Sequence, residues 1–455
     1  MTYRRCRKGA ALLISMIVLA ILSAWAVSIC SMSGTGVQLA ENQREVNSTR
    51  VCAESGLGIL RFWLNQVSMP GTTAASAKFS NVVTFLQNNL TANITANYDG
   101  SSLITISPPV TLDSTAGQTF SANIIADYPL DAETLQVDVT GAYRTITRTI
   151  RVNYNFGPRM NPLFKYGIAT KGPLHLAGNI ELGGVNVAVE SNVYIESENN
   201  NETLSIIGNS QIAGDVSITN PDATVTLQGG QAGIGGETGQ DAIDNHVSVG
   251  DAPIGFPVPN PGYFQQYVQN DIDTNDVVFE NIRIPADTNP FFSSGVTLKG
   301  IVFIETPNVV TFTGHVSITG IIVGNGDVND NSGTNQISFL GSVTSSPVSD
   351  LPDEPQFDQV RNETGTFLLA PGFSASFGGN FETINGTIAA NGIEFFGNAG
   401  GIIDGSVLNY SDTTMNLTGN SDLSFNHSGT VEIPAGFEFD IELKYDPASY
   451  SEVPL

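Results

Sequence analysis

The chain has four imidazoles, His175, His246, His315 and His427, scattered through its 455 residues with no metal-ligand spacing between them. Each reads as a strand or turn residue. No GxSxG, HExxH, CxxC or Walker sequence occurs, so nucleophilic, zinc and phosphate-cradling chemistry have no local signature. A glycoside hydrolase needs two carboxylates at fixed separation, and Asp404 and Glu394 are the candidates. A lyase would want a base near a cation-bound carboxylate, but Lys171, Arg283, Lys299, Arg361 and Lys444 are the main bases of the last 290 or so positions. Two stretches place oxygen ligands at alternate positions as a calcium loop does. In Asp327-Val328-Asn329-Asp330-Asn331-Ser332-Gly333 the glycine is displaced by one place, and Ser338 stands where a bidentate Glu belongs. In Asp271-Ile272-Asp273-Thr274-Asn275, Asp276 fills the glycine slot. Both read as solvated turns. The expectation is no catalytic residue, no metal site and no cofactor.

Composition narrows the field further. The chain carries 18 Lys+Arg against 44 Asp+Glu, a formal charge of −26. A nucleic-acid binder needs bases to neutralise phosphate, and these are too few. Cys6, Cys30 and Cys52 cannot build a disulfide framework. On one helix Cys30 and Cys52 would lie ~33 Å apart, beyond the ~7 Å reach of a disulfide. With 41% apolar residues the chain buries a core, which excludes wholesale disorder. Only 14% is charged while Gly reaches 47, a texture of stacked strands and turns.

The acid is absent from the start. Arg4, Arg5, Arg7 and Lys8 form a basic cluster, and the first acidic residue is Glu41. From Ala10 to Met32 the chain is apolar apart from four Ser. As a helix those residues span ~35 Å, enough for a ~30 Å hydrocarbon core. The bases before the span, and none just after it, place the N-terminus in the cytoplasm and the bulk outside. A secretory signal has a shorter apolar run and a better small-x-small site than Ser31-Met32-Ser33. After Ser33-Gly34-Thr35-Gly36, where helix propensity dips, Leu39, Val46, Ala53, Leu57, Leu60, Leu64 and Val67 draw one apolar stripe. Glu41, Arg44, Glu45, Arg50, Glu54 and Arg61 take the other face. The pattern predicts one long helix, apolar all round first and amphipathic after.

Arg7-Lys8-Gly9-Ala10-Ala11-Leu12-Leu13, the span, and Ala53-Glu54-Ser55-Gly56-Leu57 together resemble the N-terminus of type IV pilus minor pilins of the PilX kind. The resemblance covers roughly the first 65 residues. It implies that a prepilin peptidase on the cytoplasmic face of the bacterial inner membrane cuts between Gly9 and Ala10. It also implies that the mature helix packs against other pilin-like subunits. Major pilins carry Glu at the fifth mature position, which here is Ile14. An intramembrane carboxylate is kept only for a function, so its replacement points to an initiating or tip position instead of a repeating shaft subunit.

Beyond the helix, Met69 to Ser76 reads as a linker and Ala77 to Leu90 as a helix. Strands follow at Leu103 to Ile106, Phe120 to Ile125, Leu135 to Val139 and Thr145 to Tyr154. The last two are joined by a hairpin signal at Thr140-Gly141-Ala142-Tyr143. From about Tyr166, apolar runs of three to five residues recur between Gly and Asn turns. Gly214-Asp215-Val216-Ser217-Ile218-Thr219 returns as Gly314-His315-Val316-Ser317-Ile318-Thr319. Strands this short bury a face only by stacking coil on coil. Excursions at 236–290 and 348–361 interrupt the pattern, where repeat proteins carry binding surface. Phe437 to Leu443 alternates like a strand capping the stack, and the residues after it read as a tail.

The expected fold class is α+β with a β-solenoid. A leader (1–9) precedes a transmembrane and amphipathic helix (10–67), a small α+β unit (68–160), a right-handed parallel β-helix (161–445) and a tail (446–455). The functional expectation is a non-enzymatic, single-pass subunit, with Ile14, Leu39, Val46, Ala53, Glu54, Leu57, Leu60 and Leu64 packing its helix. Its head would meet a surface polysaccharide or protein and no nucleic acid. The rivals are a surface-anchored carbohydrate-active enzyme and an unprocessed structural protein.

Overall fold

The structure is a computed structural model that describes residues 8–90, 94–126, 133–198, 202–273, 275–293, 295–428 and 433–453. The chain forms two compact units, Met1–Arg159 with Asp440–Leu455, and Met160–Phe439.

In the first unit a single helix, α1 (Lys8–Leu64), runs unbroken through the glycine-containing turn at 33–36. The hydroxyl of Thr35 donates to the Ser31 carbonyl at 2.8 Å, which keeps it compatible with helix. After it come β1 (Ser68–Pro70), α2 (Ala75–Asn89), β2 (Thr95–Tyr98), β3 (Leu103–Asp113), β4 (Gln118–Ala126), β5 (Thr134–Tyr143) and β6 (Ile146–Arg159). Together with a C-terminal strand, Asp440–Val453, they make a seven-stranded antiparallel sheet in the order β1, C-terminal strand, β6, β5, β4, β3, β2. The core lies between this sheet and the helices, around Leu60, Leu64, Val82, Leu86, Phe120, Val137 and Tyr154.

Four expectations need correction here. The hairpin signal at 140–143 is not the turn: β5 continues through Gly141, and the chain reverses at Arg144, whose φ is 54°. Gly141 answers a different demand, since a Cβ there would collide with the Thr49 carbonyl of α1. The alternating segment after Phe437 does not cap the stack. It runs on to Val453 and pairs along β6, with Ile441 and Leu443 entering the first unit's core. The expected tail is therefore strand as far as Val453, and the start of the expected linker, Met69 and Pro70, pairs with this strand.

The second unit is built from three sheets whose strands pair parallel, apart from one short antiparallel pair at 233–238. The chain visits them in rotation: Ile168–Thr170 on the first wall, Leu174–Gly178 on the second, Glu181–Gly184 on the third, then Val193–Ile195 on the first again. Both copies of the Val-Ser-Ile-Thr phrase fall on the first wall. The order of stacking departs from the order of sequence. The opening pass lies mid-stack: Ile168–Thr170 has Val193–Ile195 on one side and Val407–Asn409, the last pass, on the other. The second and third walls close the same seam, Leu174–Gly178 against Met415–Gly419 and Glu181–Gly184 against Asp422–Phe425.

Parallel register turns each residue position into a column. On the second wall Phe292, Phe312, Phe339, Phe377 and Phe395 stack ring on ring, with centroids 4.8 to 5.2 Å apart and planes within 17° of parallel. Leu417, Leu176, Ile206 and Leu227 continue that column. Two residues later in eight passes stands a glycine: 314, 341, 379, 397, 419, 178, 208 and 229. A Cβ at Gly208 would lie 2.6 Å from the Gly178 carbonyl, and five of the eight have positive φ. Seven of the eight therefore favour glycine, five by positive φ and Gly341 and Gly379 by a carbonyl 2.2 Å from the Cβ position.

The first wall is apolar on both faces. Its outer face, with Ile301, Phe303, Ile321, Val323, Leu369, Ala389 and Leu408, is covered by Phe264, Val348, Leu351, Phe357 and Val360 of the two excursions. The Tyr194 hydroxyl accepts from the Ile254 amide at 2.9 Å, and Tyr410 donates to the Pro257 carbonyl at 2.6 Å. Tyr263 and Tyr267 both donate to Glu363, at 2.7 and 2.6 Å. Within these segments α3 (Gly239–His246) packs on the strands Gly233–Ile234 and Val247–Val249. A few apolar residues of the excursions thus form a second core layer, while most of their other residues are exposed or half-buried. Their aromatic residues cover apolar wall that water would otherwise wet.

Replacing Phe339 by Ala opens the stacked column and should cost about 3–5 kcal/mol. Phe339→Leu, the residue type that fills this column at Leu417 and Leu176, should cost less than half as much; urea unfolding of the two variants measures the ratio. In the first unit Asp99 accepts from the Ser101, Ser102 and Leu103 amides, which hold its carboxyl down at about 2. A depressed carboxyl stabilises above its unfolded value near 3.8 and loses that contribution as pH falls towards 2. Exchange protection at Leu103 should fall across that window in the native chain and show no such step in Asp99→Asn.

Candidate functional site

From Ala11 to Arg44 every residue of α1 is exposed, Leu12 at 65%, Trp25 at 67% and Met32 at 74%. This half is long and apolar enough to cross a membrane. Burial begins at Thr49, and from there Cys52, Ala53, Leu57, Leu60 and Leu64 lie against the first unit's own sheet. Close approach is secured by two glycines: Gly141 admits the helix backbone, and a Cβ at Gly56 would lie 2.6 Å from the Phe120 ring. Arg144 ties the β5–β6 turn to the helix through Glu45 at 2.5 Å and Glu41 at 3.3 Å.

The predicted packing residues therefore divide. Ala53, Leu57, Leu60 and Leu64 are buried within the chain itself, and Val46 is half-buried. Ile14 and Leu39 stay bare, at 62% and 69% exposure. Glu54 is exposed and bonds Arg50 at 3.0 Å. Val37, Val51 and Phe62 are also exposed. Beside Val51, a shallow cavity of about 500 Å³ is bounded by Ala40, Gln43, Arg44, Asn47 and Gln118. Lys8, Gly9 and Ala10 lie on the first helical turns, while Arg4, Arg5, Arg7 and Cys6 fall outside the described residues. Cys30 and Cys52 are free thiols, the first exposed and the second buried.

In the second unit the hydrolase candidates separate. Glu394 is exposed on the second wall, in the strand Ile393–Phe395, whereas Asp404 follows the third-wall strand Gly401–Ile403 and accepts from Asn426 at 2.8 Å. Beside Asp404, a cavity of about 260 Å³ holds Ser406 and His427, whose Oγ and Nε2 lie 3.3 Å apart. The Ser406 hydroxyl donates to the Phe164 carbonyl at 3.0 Å, so its proton is engaged with backbone. Burial depresses the His427 imidazole, against the opposing pull of Glu190 and the Gly405 carbonyl. Burial also pushes Glu190 up, but hydrogen bonds from Asn186, His427 and Val187 outweigh it and hold this carboxyl below its ordinary value. The cluster fastens a corner of the stack.

The oxygen-rich turns are closed on themselves. Asp327 accepts from the Asn329 amide at 2.9 Å, Asp330 from Ser332 at 2.9 Å and Asp273 from Asn275 at 3.0 Å, while Asp271 pairs with Arg283 at 2.7 Å. Among the described residues no three of His, Cys, Asp and Glu are grouped as a metal requires. His246 bonds Asp215 at 2.7 Å, and His315 bonds Ser342 at 2.9 Å.

Charge is divided between the units. Positions 160–439 hold 31 Asp and Glu against five Lys and Arg, so the second unit carries the whole −26, and the remainder balances at 13 against 13. Sequence reasoning also missed a groove of about 740 Å³ floored by Phe381 and Val343. Its signal was available: an apolar residue, any residue, Gly, then Asn, Ser or His, recurring once per pass.

No protein-family model matches the chain, and no curated protein does. Among solved structures it is similar to the competence-associated pilin ComZ from Thermus thermophilus, with a TM-score of 0.31 and 10% identity over 89% of this chain and 97% of that one.

Because Gly141 faces helix backbone, Gly141→Val should lift α1 from the sheet. In a Cys6→Ser, Cys30→Ser background, the buried Cys52 thiol should then alkylate at least about tenfold faster than with Gly141 intact.

Proposed function

We propose that the chain is a non-enzymatic, pilin-like minor subunit. The apolar half of α1 holds it in the bacterial inner membrane as a single pass, with its N-terminus cytoplasmic. Prepilin peptidase then cuts between Gly9 and Ala10. The freed helix packs among other pilin-like subunits of a pilus or secretion pseudopilus, and the second unit is displayed for adhesion or tip contacts. The second unit is read as a right-handed β-helix, the hand that parallel crossovers take.

One observation carries this reading: a continuous helix with one half wholly bare and the other sunk in its own unit's sheet. A plain anchor needs only the span. Here the exposed face extends past residue 32 through Val37, Leu39 and Val51, a length that serves lateral packing outside the lipid. Ala53, Leu57, Leu60 and Leu64, occupied internally, drop out as filament contacts in this reading, which leaves Ile14, Leu39, the exposed Glu54 and the half-buried Val46. With Ile14 in place of a carboxylate, a neighbour's amino terminus finds no charged partner, which suits a subunit used rarely or at one end.

Mass spectrometry of the chain recovered from a bacterium with a functional prepilin peptidase tests the reading. The mature chain should begin at Ala10, and Gly9→Val should retain the leader. A wild-type chain still beginning at Met1 would remove the pilin assignment.

A further inference from the structure

The glycine column is followed by a polar one. After Gly314, Gly341, Gly379, Gly397 and Gly419 stand His315, Ser342, Asn380, Asn398 and Asn420, and the column continues through Asn179 and Asn209. Such ladders are ordinarily structural, each amide bonding the next. That holds at both ends here: His315 bonds Ser342 at 2.9 Å, Asn179 donates to Asn420 at 2.9 Å and Asn209 to Asn179 at 2.8 Å. Between them the ladder is broken. The side-chain amides of Asn380 and Asn398 make no hydrogen bond among the described residues, and the gap falls within the groove of about 740 Å³.

Glu382 and Asp422 also line the groove, both exposed and likewise without side-chain partners among the described residues. No Lys or Arg lines the groove. The floor is apolar, Phe381 being 4% and Val343 2% exposed, with Gly400 and Gly401 bringing backbone to the surface. Five passes contribute, so at ~4.8 Å per pass the groove runs ~19 Å along the stack. It is open along its length.

We infer that this groove binds an uncharged linear polysaccharide laid parallel to the stack. An amide offers donors and an acceptor, and a carboxylate offers acceptors. A hydroxyl both donates and accepts, so two free amides and two free carboxylates lining one groove match a row of hydroxyls without needing charge. An anionic polymer would be repelled by two unpaired carboxylates on a unit of net −26. A peptide strand would look for separate side-chain pockets at alternate positions, whereas the floor is one shallow apolar strip. The length suits several sugar units taken from mid-chain. The inference gives the displayed head a ligand, yet binding by purified chain is independent of cleavage at Ala10, so the two readings fail separately.

The test is calorimetric titration of the full chain in detergent with cello-, xylo-, malto- and chitohexaose, alongside an oligogalacturonate and a chitosan oligomer. At least one neutral hexamer should bind, the oligogalacturonate should not, and Asn380→Ala with Asn398→Ala should weaken binding about tenfold, as loss of two hydrogen bonds requires. Asn209→Ala, in the same column but outside the groove, should bind as wild type does, and Glu382→Ala, which removes an acceptor outright, provides a second exposed substitution that should also weaken binding. Circular dichroism and the thermal midpoint of each variant establish that it is folded. Absence of binding by every neutral hexamer at millimolar concentration overturns the inference. So does binding of the chitosan oligomer alone, which would be charge attraction, or unchanged affinity in the double variant.

Discussion

A strand of three or four residues cannot bury a face or satisfy its own backbone, so every pass through the second unit depends on the pass beside it. Parallel pairing in register meets that need and imposes a consequence: whatever side chain stands at a position stands beside its counterpart above and below. A phenylalanine must tolerate a phenylalanine 5.0 Å away, and stacked rings do. A corner whose neighbour's carbonyl occupies the Cβ position must be glycine. The columns follow from this one geometric repeat.

The same dependence accounts for the entry of the chain mid-stack. A pass laid at the end of a stack leaves an open edge, whereas the opening pass here is paired on both sides by the time the chain has returned through Val407–Asn409. Residues 160 and 439 thus bracket a unit inserted between β6 and the C-terminal strand, where Arg159 is paired with Asp440. The long route between the two halves of the stack is used as well. It carries Phe256 and Phe264 over the first wall, and the Lys171 ammonium sits 5.3 Å from the Phe256 ring and 5.8 Å from that of Tyr410.

Much of this was legible in residues and spacing. Strand brevity, Gly and Asn corners and the repeated Val-Ser-Ile-Thr phrase pointed to stacked parallel strands, and the period of Ala53, Leu57, Leu60 and Leu64 pointed to a buried helix face. What escaped had physical causes. Gly141 looked like a turn because the local signal of glycine is the same whether the chain reverses or another backbone approaches. Stacking order was invisible because each pass carries the same local pattern, and nothing in it says which neighbour it will choose. The core contribution of the excursions was not legible because their apolar residues, Phe264, Phe357 and Val360, are widely spaced and meet only on the outer face of the first wall. The free amides of Asn380 and Asn398 were legible as type and spacing, but not as unpaired, since ladder and broken ladder have the same sequence.

The division of charge bears on what the two units can do together under the proposed assembly. With the leader removed the first unit holds nine bases against 13 acids, and its bare helix is free of charge from Ala10 to Ala40. Such a surface packs against copies of itself or relatives without electrostatic cost. The second unit, at −26, does not: adjacent copies would repel over a Debye length of ~8 Å. A filament built by the helix alone would tolerate neighbours of this chain, but one carrying this head on every subunit would concentrate carboxylates along its surface. Under that proposal charge acts in the same direction as Ile14, which cleavage after Gly9 would place fifth. Both disfavour a repeating shaft and favour a few heads held apart, each presenting an uncrowded groove.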